Sequence, residues 1–345
     1  DRGIGKVGRV TLDGKLTEVV AEMAASSLDR PYSGGDFSIA SGTIAYTLGD
    51  AQRPSDIAVH RGGKSTRLTN LNAGLIAAKQ LAAIQPLAVT STRDGRAIDA
   101  WVVLPPTYQP GQRVPLILEI HGGPALSYGP YFATDMQFYA AAGYAVVYPN
   151  ARLSTSYGEA FSQGAPGTDP FPDYQDFIST VDAAIAAGIA DPDNLFVTGG
   201  SYGGYAAAAI IGQTDRFRAA ALQKPVINWV SKILNTDISA FQHEYTYGKQ
   251  PWDNPELLWK NSPLSLVGNV KTPTLIVVGE KDYRTPVSES EQYYGALQLR
   301  GVPSSLVIVP GANHGGLTAR PSQSAAKAAA IIAWFDRYKK SATSK

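Results

Sequence analysis

The residues best able to do chemistry sit in Leu195-Phe196-Val197-Thr198-Gly199-Gly200-Ser201-Tyr202-Gly203-Gly204-Tyr205. An apolar run of strand type ends in a Gly-x-Ser-x-Gly pentapeptide and passes at once into an Ala-rich, helix-type run, Ala206 to Ile211. A strand that turns directly into a helix strains the backbone at the turn and leaves no room beside it. That is why glycines flank the serine. The turn lifts the Ser201 hydroxyl clear of the sheet, at the positive end of a helix where an oxyanion is stabilised. The chemistry is nucleophilic catalysis; the plain alternative is a structural Gly/Ser turn.

A serine hydroxyl needs a base, and the base needs an orienting carboxylate. The chain has only four histidines. His60 sits in a strand-rich segment, His121 precedes two glycines, and His243 lies in an aromatic, polar stretch. His314 follows the last apolar strand in Pro310-Gly311-Ala312-Asn313-His314-Gly315-Gly316. Such a loop presents its side chain at the carboxyl edge of a sheet, where reacting groups gather in open α/β folds. His314 is therefore the expected base. The acid should fall between serine and histidine in the chain. Asp282 ends the run Leu275 to Lys281, and Glu280 is its nearest competitor. Asp282 lies further into the loop, within reach of His314. The loop His121-Gly122-Gly123-Pro124 follows an apolar strand, and its glycines let a backbone N–H approach a reacting carbonyl. With the amide of Tyr202 it would form an oxyanion hole, while His121 braces the loop.

The elements that must position these residues alternate strand and helix from about Pro86, the sign of a mostly parallel sheet flanked by helices. A hairpin, Leu87 to Ser91 and Ile98 to Leu104, leads in. Strands are expected at Leu116 to Ile120, Ala145 to Tyr148, Leu195 to Thr198, Ala219 to Leu222, Thr274 to Val278 and Ser305 to Val309. Helices are expected at Ala133 to Ala142, Tyr174 to Ala187, Tyr202 to Gln213, Glu289 to Arg300 and Ser322 to Tyr338. Residues 1 to 85 read differently. A hairpin spans Val7 to Val20 around Asp13-Gly14, and four short strands follow at Asp36 to Ser41, Thr43 to Leu48, Asp56 to His60 and Ser65 to Leu68. Four strands at this spacing make one blade of a β-propeller, and closure needs about four to eight blades. The segment thus reads as about one and a half blades of a larger propeller, the rest cut off or present as a separate chain; a small capping sheet is the alternative.

Composition narrows the partners. With 30 basic and 29 acidic residues the net charge is +1, which argues against nucleic acid. No apolar run approaches the roughly 18 residues that span a bilayer. The chain has no cysteine, which excludes disulfides, thiolate metal sites and a cysteine nucleophile. It begins Asp1-Arg2-Gly3 with no leader, which reads as a processed start and favours export, periplasmic or secreted, over the cytoplasm. Nothing fixes the oligomeric state, and a homo-oligomer is open.

Taken together, Gly199 to Tyr205, His121 to Pro124, Asp282-Tyr283-Arg284-Thr285-Pro286 and Gly311 to His314 resemble the prolyl oligopeptidase family of serine peptidases. The likeness is greatest to its acylaminoacyl-peptidase and dipeptidyl-peptidase branches, and Asn150 to Gly158 and Asn254 to Leu257 are family-like too. It covers the chain from about residue 85 to the end. It implies an α/β-hydrolase fold with a mostly parallel eight-stranded sheet as catalytic domain (86–345), behind a propeller that admits only short peptides. Gly123 and Tyr202 would supply the oxyanion amides. Arg284 would bind a substrate carbonyl, and Val226 and Trp229 would wall the pocket for the residue preceding the scissile bond. Neither metal nor cofactor is required. In two places the chain departs from the family. Leu153 stands where the family often has glycine, and nothing matches the paired glutamates that hold a free substrate amine. The rivals are a carboxylesterase of the same fold and an inactive hydrolase fold serving as a binding module.

Overall fold

The computed structural model describes residues 1–25, 27–163, 170–244, 250–315 and 320–341, the side chains of 242–244 excepted. Gly316 of the His314 loop and the side chain of His243 lie outside the described residues.

The chain opens with an antiparallel hairpin, β1 (Gly5–Val10) and β2 (Leu16–Met23). Its turn runs through Gly14 at a φ of 85° that suits glycine. Next come β3 (Phe37–Ala40), β4 (Thr43–Asp50), β5 (Arg53–Arg61) and β6 (Lys64–Arg67), a four-stranded antiparallel meander. The hairpin packs on this sheet through Val7, Val20 and Met23 against Ile44, Tyr46 and Ala58. A short helix, α1 (Ala73–Ala77), follows.

The rest is one eight-stranded sheet: β7 (Ala83–Thr90), β8 (Ala97–Leu104), β9 (Val114–Ile120), β10 (Ala145–Pro149), β11 (Ala190–Gly200), β12 (Ala219–Gln223), β13 (Thr274–Gly279) and β14 (Ser304–Val309). The spatial order is β7-β8-β10-β9-β11-β12-β13-β14. β8 runs antiparallel to both its neighbours, and the remaining pairs are parallel. The helices are α2 (Thr134–Ala141), α3 (Glu159–Ser162), α4 (Tyr174–Ala186), α5 (Tyr202–Ile211), α6 (Trp229–Asn235), α7 (Pro255–Lys260), α8 (Val287–Leu299) and α9 (Pro321–Tyr338). Successive residues of the inner strands face opposite ways. Leu116, Leu118 and Val147 meet α4, α5 and α8 through Val181, Ala206 to Ile211 and Leu297. Ile117 and Val146 meet α2 and α9 through Met136, Tyr139, Ile331 and Phe335. A sheet covered on both faces explains why these strands read as unbroken apolar runs.

The sheet begins at Ala83, so a boundary after residue 85 cuts β7. Pro86 reads as a break, but β7 is an edge strand, where a missing N–H costs no ladder bond on the open side. Nor is the N-terminal part separate. Tyr131 receives the Gly5 N–H at 3.2 Å and donates to the Met23 carbonyl at 2.6 Å. The segment around Arg30 to Ser33 crosses to the loop that follows β9, with the Ser33 N–H bonded to Ser127 O at 2.8 Å.

Candidate active site

Ser201 caps α5 at the end of β11 with φ 59° and ψ −116°. That left-handed φ is strained for a serine. Its surroundings show why the neighbours are glycines. A Cβ on Gly203 would stand 2.0 Å from Ile120 O, and one on Gly199 2.6 Å from Gly203 O. The Ser201 N–H is tied to Gln223 O at 2.9 Å, which fixes the turn against β12.

Three side chains from separate loops meet here. His314 Nε2 lies 3.1 Å from Ser201 Oγ, and His314 Nδ1 lies 2.8 Å from Asp282 Oδ2. Asp282 is buried and accepts the N–H groups of Arg284 at 3.1 Å and Thr285 at 2.9 Å. Glu280 turns elsewhere and accepts the Gly311 N–H at 2.7 Å, bracing the turn that leads to His314. Burial pushes the His314 pKa below its usual 6.5; the bond to Asp282 opposes this, and the Lys224 ammonium adds to it. A neutral imidazole between a hydroxyl and a carboxylate can take the hydroxyl proton.

Lys224 had no role in the sequence reading, yet it holds this loop. It is buried at φ 42°, and its Nζ donates to His314 O at 2.5 Å. Burial lowers its pKa to about 8. A signal was present in Gln223-Lys224-Pro225: a cation followed by proline at the carboxyl end of an apolar strand. Arg30 and Tyr32 gave none, because the fold brings them from the far N-terminal part. Arg30 is buried beneath the turn, its Nε 3.0 Å from Glu119 and its Nη2 2.7 Å from Gln223 Oε1.

The loop after β9 lines the same cavity through Gly122 and Gly123, as does Tyr202. His121 is buried, its Nδ1 donating to Gly122 O at 2.8 Å and its Nε2 2.9 Å from Ser154 Oγ. Burial drops its pKa to about 4, so it is a neutral brace. Tyr202 donates its hydroxyl to Asp173 at 2.8 Å, and burial raises that carboxyl to about 7.

The cavity measures about 780 Å³, with Val226, Trp229, Leu258 and Tyr205 among its walls. Lys224, Lys232 and Arg284 line it, and no Asp or Glu is among the lining residues described. Arg284 pairs with Asp237 at 2.7 Å, both side chains being exposed by more than two-fifths. An exposed pair of this kind is worth about 1 kcal/mol or less, so a ligand can compete for the guanidinium. Leu153, also in the wall, has φ 79°. The backbone there keeps the conformation that favours glycine although the side chain is leucine. Its neighbour Arg152 bonds Asp176 and Asp94, with Nη2 2.8 Å from Asp176 Oδ1.

Comparison with known proteins agrees with this architecture. The model of the prolyl oligopeptidase family matches residues 130–342. The uncharacterised peptidase YuxL of Bacillus subtilis is 37% identical over 289 residues, 83% of this chain and 44% of that protein. An acylamino-acid-releasing enzyme of Arabidopsis thaliana is 37% identical over 236 residues, 66% of this chain and 31% of its own length. Among solved structures, a Pyrococcus horikoshii acylaminoacyl peptidase superposes with a TM-score of 0.85 at 26% identity, covering 96% of this chain and 52% of that one. An acylaminoacyl peptidase in complex with Z-Gly-Gly-Phe-chloromethyl ketone gives 0.86 at 26% identity, covering 99% and 54%. The chain thus spans about half or less of the length of these relatives. Its sheet is that of the α/β-hydrolase fold, and the chain belongs to the prolyl oligopeptidase family.

Proposed function

We propose that this chain carries the catalytic site of a serine peptidase acting on short peptides. The observation that supports it most is the hydrogen-bonded set Ser201–His314–Asp282 at the end of a strained strand-to-helix turn. In this reading Ser201 Oγ attacks the scissile carbonyl while His314 takes its proton. His314 then protonates the leaving amine, and Asp282 holds the imidazole in the required tautomer. The amides of Gly123 and Tyr202 receive the oxyanion; losing one such donor typically costs about 100- to 1,000-fold in rate. Val226 and Trp229 wall the pocket for the residue before the cleaved bond, and Arg284 leaves Asp237 to bind a substrate carbonyl.

The cavity's charge bears on the substrate's end. Three cations and no carboxylate among its described lining residues favour a blocked N-terminus over a free amine, which would need a counter-charge. The relatives described as acylaminoacyl peptidases point the same way. We read β3 to β6 as one blade of a propeller and β1–β2 as part of another. The further blades, on the same or a separate polypeptide, would gate access to the cavity.

The test is a cleavage profile on matched free and N-acetylated peptide libraries, with an ester of the same acyl group as control. Faster release from acetylated peptides is expected. Turnover of the ester alone would make the protein a carboxylesterase.

A further inference from the structure

The oxyanion loop meets a side chain from outside the hydrolase sheet. The Gly122 N–H donates to the hydroxyl of Tyr32 at 3.1 Å. A Cβ on Gly122 would stand 3.1 Å from that hydroxyl and 3.5 Å from Ser201 Cβ, so the phenol and the nucleophile flank the same face of Gly122. Tyr32 lines the cavity together with Gly123, Ser201 and His314. Having accepted the amide hydrogen, the hydroxyl keeps its own hydrogen to donate. No acceptor for it is present among the described residues.

We propose that the Tyr32 hydroxyl is a catalytic group of this chain, a third hydrogen-bond donor to the oxyanion, beside the Gly123 and Tyr202 amides. The proposal rests on the serine peptidase reading and extends it. As Ser201 Oγ bonds to the carbonyl carbon, the carbonyl π pair moves onto oxygen; Tyr32 gives that oxygen a hydrogen bond and transfers no proton. Burial raises the phenol's pKa above 10.0, which keeps it in the donor form.

Electrostatic stabilisation works when the donor is fixed before the charge develops, and Tyr32 is fixed. Its backbone bridges Tyr128 in antiparallel fashion, and its ring meets the Tyr128 ring edge-on at 4.9 Å. Gly129 N–H bonds to Pro31 O at 2.8 Å on one side, and Ser33 N–H to Ser127 O at 2.8 Å on the other.

Tyr32→Phe keeps the ring and removes only the donor. On an activated ester and a peptide anilide, kcat should fall about 100-fold, the lower end for one lost donor, with KM within about twofold. Affinity for a peptide aldehyde, which forms the tetrahedral adduct, should fall in proportion. The thermal midpoint should not move. If it does, 3-fluorotyrosine at position 32, a more acidic phenol of nearly equal size, should tighten the aldehyde instead. A kcat within about threefold of wild type, or aldehyde affinity unchanged in both replacements, overturns the proposal. A wild-type chain lacking Ser201-dependent turnover sinks the function and this proposal together; an active wild type with an unaffected Tyr32→Phe sinks this proposal alone.

Discussion

Asp282 and Glu280 leave the end of β13 within two residues of each other, and only the former reaches the imidazole. Loop depth explains the difference. Asp282 sits where the backbone turns and gives it the Arg284 and Thr285 amides, whereas Glu280 is spent on the Gly311 turn. Asp282→Asn should therefore lower kcat about 10⁴-fold by holding the His314 imidazole in the wrong tautomer, while Glu280→Gln should leave it within a few-fold. Because burial holds His314 below 6.5, its neutral form persists into mild acid. The acid limb of kcat/KM should then have its midpoint below pH 6.5. Lys224→Met removes a cation that opposes imidazolium and should shift that midpoint upward. The meeting of Ser201, His314 and Asp282 was legible in the sequence because each ends an apolar strand in a short Gly- or Pro-marked loop. Lys224 was not singled out, since a lone cation after a strand most often serves solvation.

The loops that carry these side chains are held by buried polar groups, and this is where element-scale tests bear. His121 is buried near pKa 4 against 6.5 when unfolded, so between those values the unfolded chain binds the extra proton. Stability is lost as pH falls through that window, by up to about 3 kcal/mol. In urea titrations the wild-type midpoint should drop between pH 6.5 and 4 more steeply than that of His121→Asn. Arg152→Ala strands the buried Asp176 carboxylate, a loss of about 3–5 kcal/mol. Leu153 holds φ 79°, the left-handed region that favours glycine, so the chain bears the strain of that turn. The sheet strands were legible from their apolar runs. The short helices α6 and α7 were not, although their caps were visible. Asn228 accepts the Val230 N–H and Asn254 the Leu257 N–H, with Pro255 in the first turn. Six or seven residues carry too little periodicity to announce a helix without such caps being weighed first.

At the scale of the whole molecule, residues 1–35 are part of the site's foundation. Arg30 pairs with the buried Glu119 of β9, and Tyr32 reaches the cavity. Sequence periodicity could mark the two sheet systems but not this long-range bond, which depends on tertiary contacts between distant segments. A chain starting at residue 86 should lose the first three residues of β7 and leave Glu119 buried without its partner. The expected cost is about 3–5 kcal/mol, read as a lowered thermal midpoint against the full chain. The account as a whole stands on Ser201 as a nucleophile activated by His314. The most direct measurement is the rate of covalent labelling by a fluorophosphonate, with the adduct located by mass spectrometry. It should map to Ser201, vanish in Ser201→Ala and slow by orders of magnitude in His314→Ala. An adduct on another residue, or labelling that survives Ser201→Ala, would contradict the account.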